Sequence, residues 1–109
     1  MMDERSKAGL GKILVQIDPD LQEIVPGFLD NRRRDLVTIE SCLKQGDLDT
    51  IRLLGHRMKG DGGGYGFEQI STIGHFLEQA ALTRDRIALK NQQEQLRDFL
   101  ARVTVVYKR

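Results

Sequence analysis

Apolar residues recur along most of this chain at intervals of three and four, the repeat of one helix face. From about Gly27 to Gln45 the repeat is Leu29, Leu36, Ile39 and Leu43, and Gly46 supplies a natural stop. Asp47 reads as the N-cap of a second stretch, with apolar positions at Leu48, Ile51, Leu54 and Met58. A third stretch starts near Phe67 and turns Ile70, Ile73, Leu77 and Ala81 inward. Thr83 reads as the cap of a fourth, about Arg84 to Tyr107, patterned on Leu89, Leu96, Phe99, Leu100, Val103 and Tyr107. Val103 to Val106 is a β-prone run, but its surroundings are helical, so it is assigned to that helix.

The start of the chain is less regular. Residues 1–16 are polar and weakly patterned, a lead-in that precedes the fold. Asp18-Pro19 opens a short helix carrying Leu21, Ile24 and Val25, and Pro26 restarts the chain. Four helices joined by links of two to four residues predict an all-α fold. The expected architecture is an antiparallel four-helix bundle over residues 17–109, with a short extra N-terminal helix.

Composition narrows the function classes. A length of 109 residues holds one core and leaves no room for a kinase domain. The net charge of +1 disfavours a dedicated nucleic-acid binder. No apolar run approaches a membrane span, and the N-terminal segment lacks a signal-like apolar region. A single cysteine, Cys42, excludes an internal disulfide and any cysteine zinc cage; it suits a cytoplasmic setting and reads as a small core filler. With no Trp and few aromatics, the core is expected to be mostly aliphatic. His56 and His75 have no third ligand at metal spacing, so no metal site is expected. His75 is expected to pair with Glu78 or to stand exposed, and Arg32-Arg33-Arg34 to form a solvated face.

Glycine is the compositional anomaly. Gly60, Gly62, Gly63, Gly64 and Gly66 fall within one short window just after His56. On a helix, His56 lies about 145° from the centre of the apolar face made by Leu48, Ile51, Leu54 and Met58. It therefore points outward. Lys59, Gly60 and Gly63 follow at i+3, i+4 and i+7 and share its face. Each glycine costs the helix about 1 kcal/mol relative to alanine. In return, a surface cleared of side chains lets another macromolecule reach an exposed imidazole, a good nucleophile near neutral pH. Read on its own, the cluster suggests a loop over 60–66; together with the resemblance that follows, the helix is expected to run through most of the cluster and stop near Tyr65.

These residues resemble the signature of histidine-containing phosphotransfer domains. The matching positions are His56-Arg-Met-Lys59-Gly60, then Gly66, Ile70, Leu77 and Glu78, with an entry segment from Ile17 to Leu29. The resemblance spans about residues 17–107. It implies that His56 accepts a phosphoryl group, that Lys59 lies beside that group, and that Glu78 bonds the imidazole and fixes its tautomer. It further implies that Gly60 and Gly63 keep the docking face open, that Gly66 turns the chain, and that Leu53 and Arg57 contact the partner. Gly62, Gly64 and Asp61 depart from the residues usual in the family.

The implied activity is that of a carrier, not an enzyme with its own kinase activity. His56 takes the group from the aspartate of a receiver domain, in a response regulator or hybrid kinase, and a second receiver removes it. Catalytic groups and Mg²⁺ come from the receiver, so this chain binds no cofactor, and a monomer suffices. The competing reading is a non-catalytic helical adaptor that binds its partner through the same open face. Such an adaptor has no reason to retain His56, Lys59 and Glu78 together.

Overall fold

The computed structural model describes residues 11–109. The elements are strand β1 (Ile13–Ile17), helices α1 (Val25–Gln45), α2 (Leu48–Gly64), α3 (Glu68–Leu82) and α4 (Arg86–Arg102), and strand β2 (Val103–Tyr107). The four long helices of the sequence pattern are present. Three other features of that pattern change.

The short N-terminal helix is replaced by a single 3-10 turn, Pro19–Leu21. The Asp18 side chain accepts from the Asp20 amide at 2.8 Å, which closes a tight turn rather than starting a run of helical bonds. α1 then begins at Val25, with Pro26 in its first turn, where a missing N–H costs nothing.

The second change is at the chain ends. The last helix stops at Arg102, and Val103–Tyr107 forms a strand paired in parallel with Ile13–Ile17, from Ile13 opposite Val103 to Ile17 opposite Tyr107. The β-branched content of both segments suits a pleated surface. Parallel strands need a long crossover, and here the whole helical body is that crossover. Arg102 Nε donates to the Gly11 carbonyl at 2.9 Å, and the Lys108 amide donates to the Ile17 carbonyl at 3.1 Å. Residues 13–17 thus form a strand, although 13–16 belong to the weakly patterned lead-in of the sequence; the first ten residues of that lead-in lie outside the described part.

Thr83 does not cap the last helix. It ends α3, its hydroxyl bonding back to the Gln79 and Ala80 carbonyls, and Asp85 caps α4 by accepting from the Ala88 amide at 3.0 Å. Arg84 between them takes a left-handed φ of 56°, which separates the two helices by a tight turn.

The core runs between the helices through Ile39, Ile51, Met58, Ile70, Leu77, Leu89 and Leu96. Cys42 is buried among them, and burial pushes its thiol pKa up. The core is not only aliphatic. Phe28, Phe67 and Phe99 are buried at one end, with Phe28 stacked on Phe67 at 5.3 Å and Phe67 edge-on to Phe99 at 6.4 Å. Arg32 joins this end and leaves the solvated face expected of it. Its guanidinium sits 4.8 Å over the Phe28 ring, and Nε lies 2.9 Å from Asp35. Arg33 and Arg34 stay exposed, bonded to Asp30 and Asn31.

α2 and α3 pack more closely than any other helix pair, and glycine is the reason. A Cβ on Gly55 would lie 2.7 Å from the Glu78 amide and 2.8 Å from the Gly74 carbonyl. One on Gly62 would lie 2.5 Å from the Ser71 amide, and one on Gly74 2.5 Å from the Lys59 amide. Gly62, without a role in the sequence pattern, is therefore part of a seam. Ser71 Oγ adds a hydrogen bond to the Lys59 carbonyl at 2.5 Å across the same contact.

Candidate functional site

His56 is one residue beyond Gly55 on α2, so the close seam places it beside α3 without burying it. Its side chain is 64% exposed. The helix beneath it is well formed at both ends. Asp47 caps it by accepting from the Thr50 amide at 3.1 Å, and the two Thr50 donors hold the Asp47 carboxyl below its usual pKa. The helix continues through the glycine cluster to Gly64, with Tyr65 as its C-cap. Gly66, at φ 89°, then turns the chain into α3.

Glu78 comes to His56 from α3. Its backbone amide is against Gly55, so its side chain reaches across to α2. Oε2 lies 3.0 Å from His56 Nδ1, and Oε1 lies 2.9 Å from Lys59 Nζ. The Lys59 contact is an ion pair, and Oε1 is buried there without a hydrogen bond of its own. Lys59 first, and His56 after it, hold the Glu78 carboxyl below its ordinary range against the opposing pull of burial. The carboxylate is therefore ionised at neutral pH and can only accept. In the neutral ring His56 Nδ1 is then the N–H, which leaves the lone pair on Nε2.

The α2 surface that follows His56 is bare at its outer glycines. Nothing lies within 4 Å of where a Cβ on Gly60, Gly63 or Gly64 would stand. Leu53 is 47% exposed and Arg57 is exposed, both beside His56 on α2. Toward α1, Asp61 lies 3.9 Å from Arg32, and Asp35 is half-buried there, its carboxyl pushed up by burial against the pull of Arg32. His75 stands apart: it is exposed, its ring edge-on to Phe76, while the Glu78 carboxylate turns to α2.

The structure thus brings His56, Lys59 and Glu78 into one cluster and leaves Leu53, Arg57, Gly60 and Gly63 on the exposed face around it. Gly55, Ser71 and Gly74 were missed by hydrophobic patterning, which gives small residues no weight. Their signal is a run of small residues on two consecutive helices, Gly55 and Gly62 against Ser71 and Gly74. Among the described residues, no group of three or more His, Cys, Asp or Glu could hold a metal ion.

The family model for the Hpt domain matches residues 23–104. The chain belongs to the Hpt domain family. Comparisons with curated proteins and with solved structures give no match. The Hpt match covers all four helices and leaves β1 and most of β2 beyond its limits. Membership places this Hpt domain in two-component phosphorelay signalling, where such domains carry phosphoryl groups on histidine and meet receiver domains. No helix among the described residues is long and apolar enough to cross a membrane.

Proposed function

We propose that His56 accepts a phosphoryl group from the aspartate of one receiver domain and yields it to another. The observation that carries this reading is the exposed His56 ring, its Nδ1 3.0 Å from Glu78, on a helix whose Gly60 and Gly63 add no side chain to the surface. Glu78 fixes the tautomer before the partner arrives, so no reorganisation is needed at the moment of attack. Lys59 is one helical turn from the ring and can turn from Glu78 to the phosphoryl oxygens, balancing their charge. Leu53 and Arg57 contribute apolar and charged contacts to the receiver. The in-line geometry, Mg²⁺ and acid–base groups belong to the receiver, so this chain presents a nucleophile and needs no cofactor. It acts as a carrier, with no kinase activity of its own, and a single copy is sufficient.

The reading includes an antiparallel order of the four helices. It is supported by links of two or three residues between them, and by the α2–α3 contacts, which run from Gly55 against Glu78 to Gly62 against Phe67.

The test is transfer of labelled phosphate from a phosphorylated receiver. Acid-labile, base-stable label is expected on the wild-type chain and none on His56→Gln, with helical circular dichroism unchanged. Equal labelling of the two, or none on the wild type across a panel of receivers, would leave only the adaptor.

A further inference from the structure

The Glu78 carboxylate serves two groups at once, His56 Nδ1 at 3.0 Å and Lys59 Nζ at 2.9 Å, and its side chain is 13% exposed. An amide at this position could still accept the Nδ1–H bond, but it would carry no charge. The difference acts after phosphorylation, and the inference therefore rests on His56 being the phosphoryl acceptor. When the Nε2 lone pair attacks an aspartyl phosphate, a P–N bond forms and the P–O bond breaks. The electron pair of that bond leaves on the donor carboxylate. Nδ1 keeps its proton throughout, so the product is an N-phosphorylated imidazolium with one positive charge on the ring. If the proton escapes to water, the ring becomes neutral, and breaking the P–N bond must then expel an imidazolate anion, a much poorer leaving group.

We propose that Glu78 retains the Nδ1 proton on the phosphorylated ring and so keeps the P–N bond ready for transfer at neutral and alkaline pH. On transfer, the P–N electron pair returns to Nε2 and a neutral Nδ1–H imidazole is released, with no proton taken up or lost. The groups around the carboxylate fit this role. The charged groups that act on it are Lys59 and His56 of α2. His75, on its own helix, is turned to Phe76, and the Arg57 guanidinium acts on Asp35 of α1. Once Lys59 turns to the phosphoryl oxygens, the whole Glu78 charge is left to the Nδ1–H, a charge-assisted bond in a partly shielded position. Glu78 is thus a positioning residue that acts through His56.

The experiment uses the full chain and Glu78→Gln, each phosphorylated with phosphoramidate and mixed with one Mg²⁺-loaded receiver domain from about pH 6 to about pH 9. The receiver's own pH dependence is common to both and cancels in the ratio of rates. That ratio, wild type over variant, is expected to climb with pH, by about tenfold for each unit separating the two profiles. Nitrogen-15 NMR of the phosphorylated ring is expected to show the Nδ1 proton lost at lower pH in Glu78→Gln. Parallel rate profiles and an equal midpoint for proton loss on phosphorylated protein overturn this inference alone. Failure of wild-type His56 to take any phosphoryl group, from phosphoramidate or from a phosphorylated receiver, overturns the reading it rests on and this inference with it.

Discussion

Along α2 the glycines fall on two faces with opposite surroundings. Gly55 and Gly62 meet the backbone of α3, where an added Cβ would come within 3 Å of a neighbouring atom. Gly60, Gly63 and Gly64 meet nothing within 4 Å. One set removes side chains so that two helices of the same molecule can approach; the other leaves a surface empty. The difference teaches that a glycine-rich helix segment need not be a loop or a hinge. Here the inner seam supplies tertiary contacts that hold the outer, bare face in helical form. The same seam brings Glu78 within reach of His56, so inner packing and outer chemistry are coupled through one pair of helices.

The largest effect expected from this contrast is on stability. Gly62→Ala drives a methyl against the Ser71 amide and is expected to destabilise the fold by about 1–3 kcal/mol in urea unfolding. Gly60→Ala fills open space on a helix and is expected to stabilise by up to about 1 kcal/mol in the same assay. Equal changes for the two would break the distinction between the faces.

The next effect is on docking. Gly63→Leu should leave the helix intact, because a Leu there has room and favours helix. It is expected to lower receiver-to-His56 transfer by about tenfold or more, which corresponds to about 1.4 kcal/mol of lost docking. Unchanged transfer would show that the bare face is not where the receiver binds.

The smallest effect is in acid. The Glu78 and Asp47 carboxyls are both held below their ordinary pKa values in the folded state. Their contribution is fully present above the unfolded carboxylate range, about pH 4. It is lost as the pH falls through their lowered folded-state values. Chemical denaturation at decreasing pH should show a stability decline that is reduced in Glu78→Gln. An identical decline in the two proteins would mean that the pair with Lys59 and His56 adds no stability.

Much of the architecture was legible in the residues. The three- and four-residue spacing of Ile70, Ile73, Leu77 and Ala81 marked α3, and Asp47 and Gly46 marked the boundary between α1 and α2. The outward angle of His56 also followed from helix geometry, because a polar residue opposite an apolar face has one place to go. What escaped depended on contacts that apolar periodicity does not weigh, some of them distant in sequence. Val103–Tyr107 looks helical beside its neighbours and becomes a strand because Ile13–Ile17, some ninety residues earlier, is there to pair with it. Thr83 and Asp85 are both good caps, and the left-handed turn at Arg84 decided between them. Arg32 looked like one of three solvated arginines until Phe28 and Asp35 gave it a half-buried position.

By itself, then, the sequence determined the four long helices and the outward position of His56, because these depend on local periodicity, while the turn at Gly66 was implied by the family resemblance. Only the tertiary structure decided that Ile13–Ile17 and Val103–Tyr107 close in a parallel pair of strands, and that Gly55, Gly62 and Gly74 are a packing seam. It also decided that one Glu78 carboxylate bridges His56 and Lys59. Each of these depends on the distance between separate elements, which no local pattern encodes.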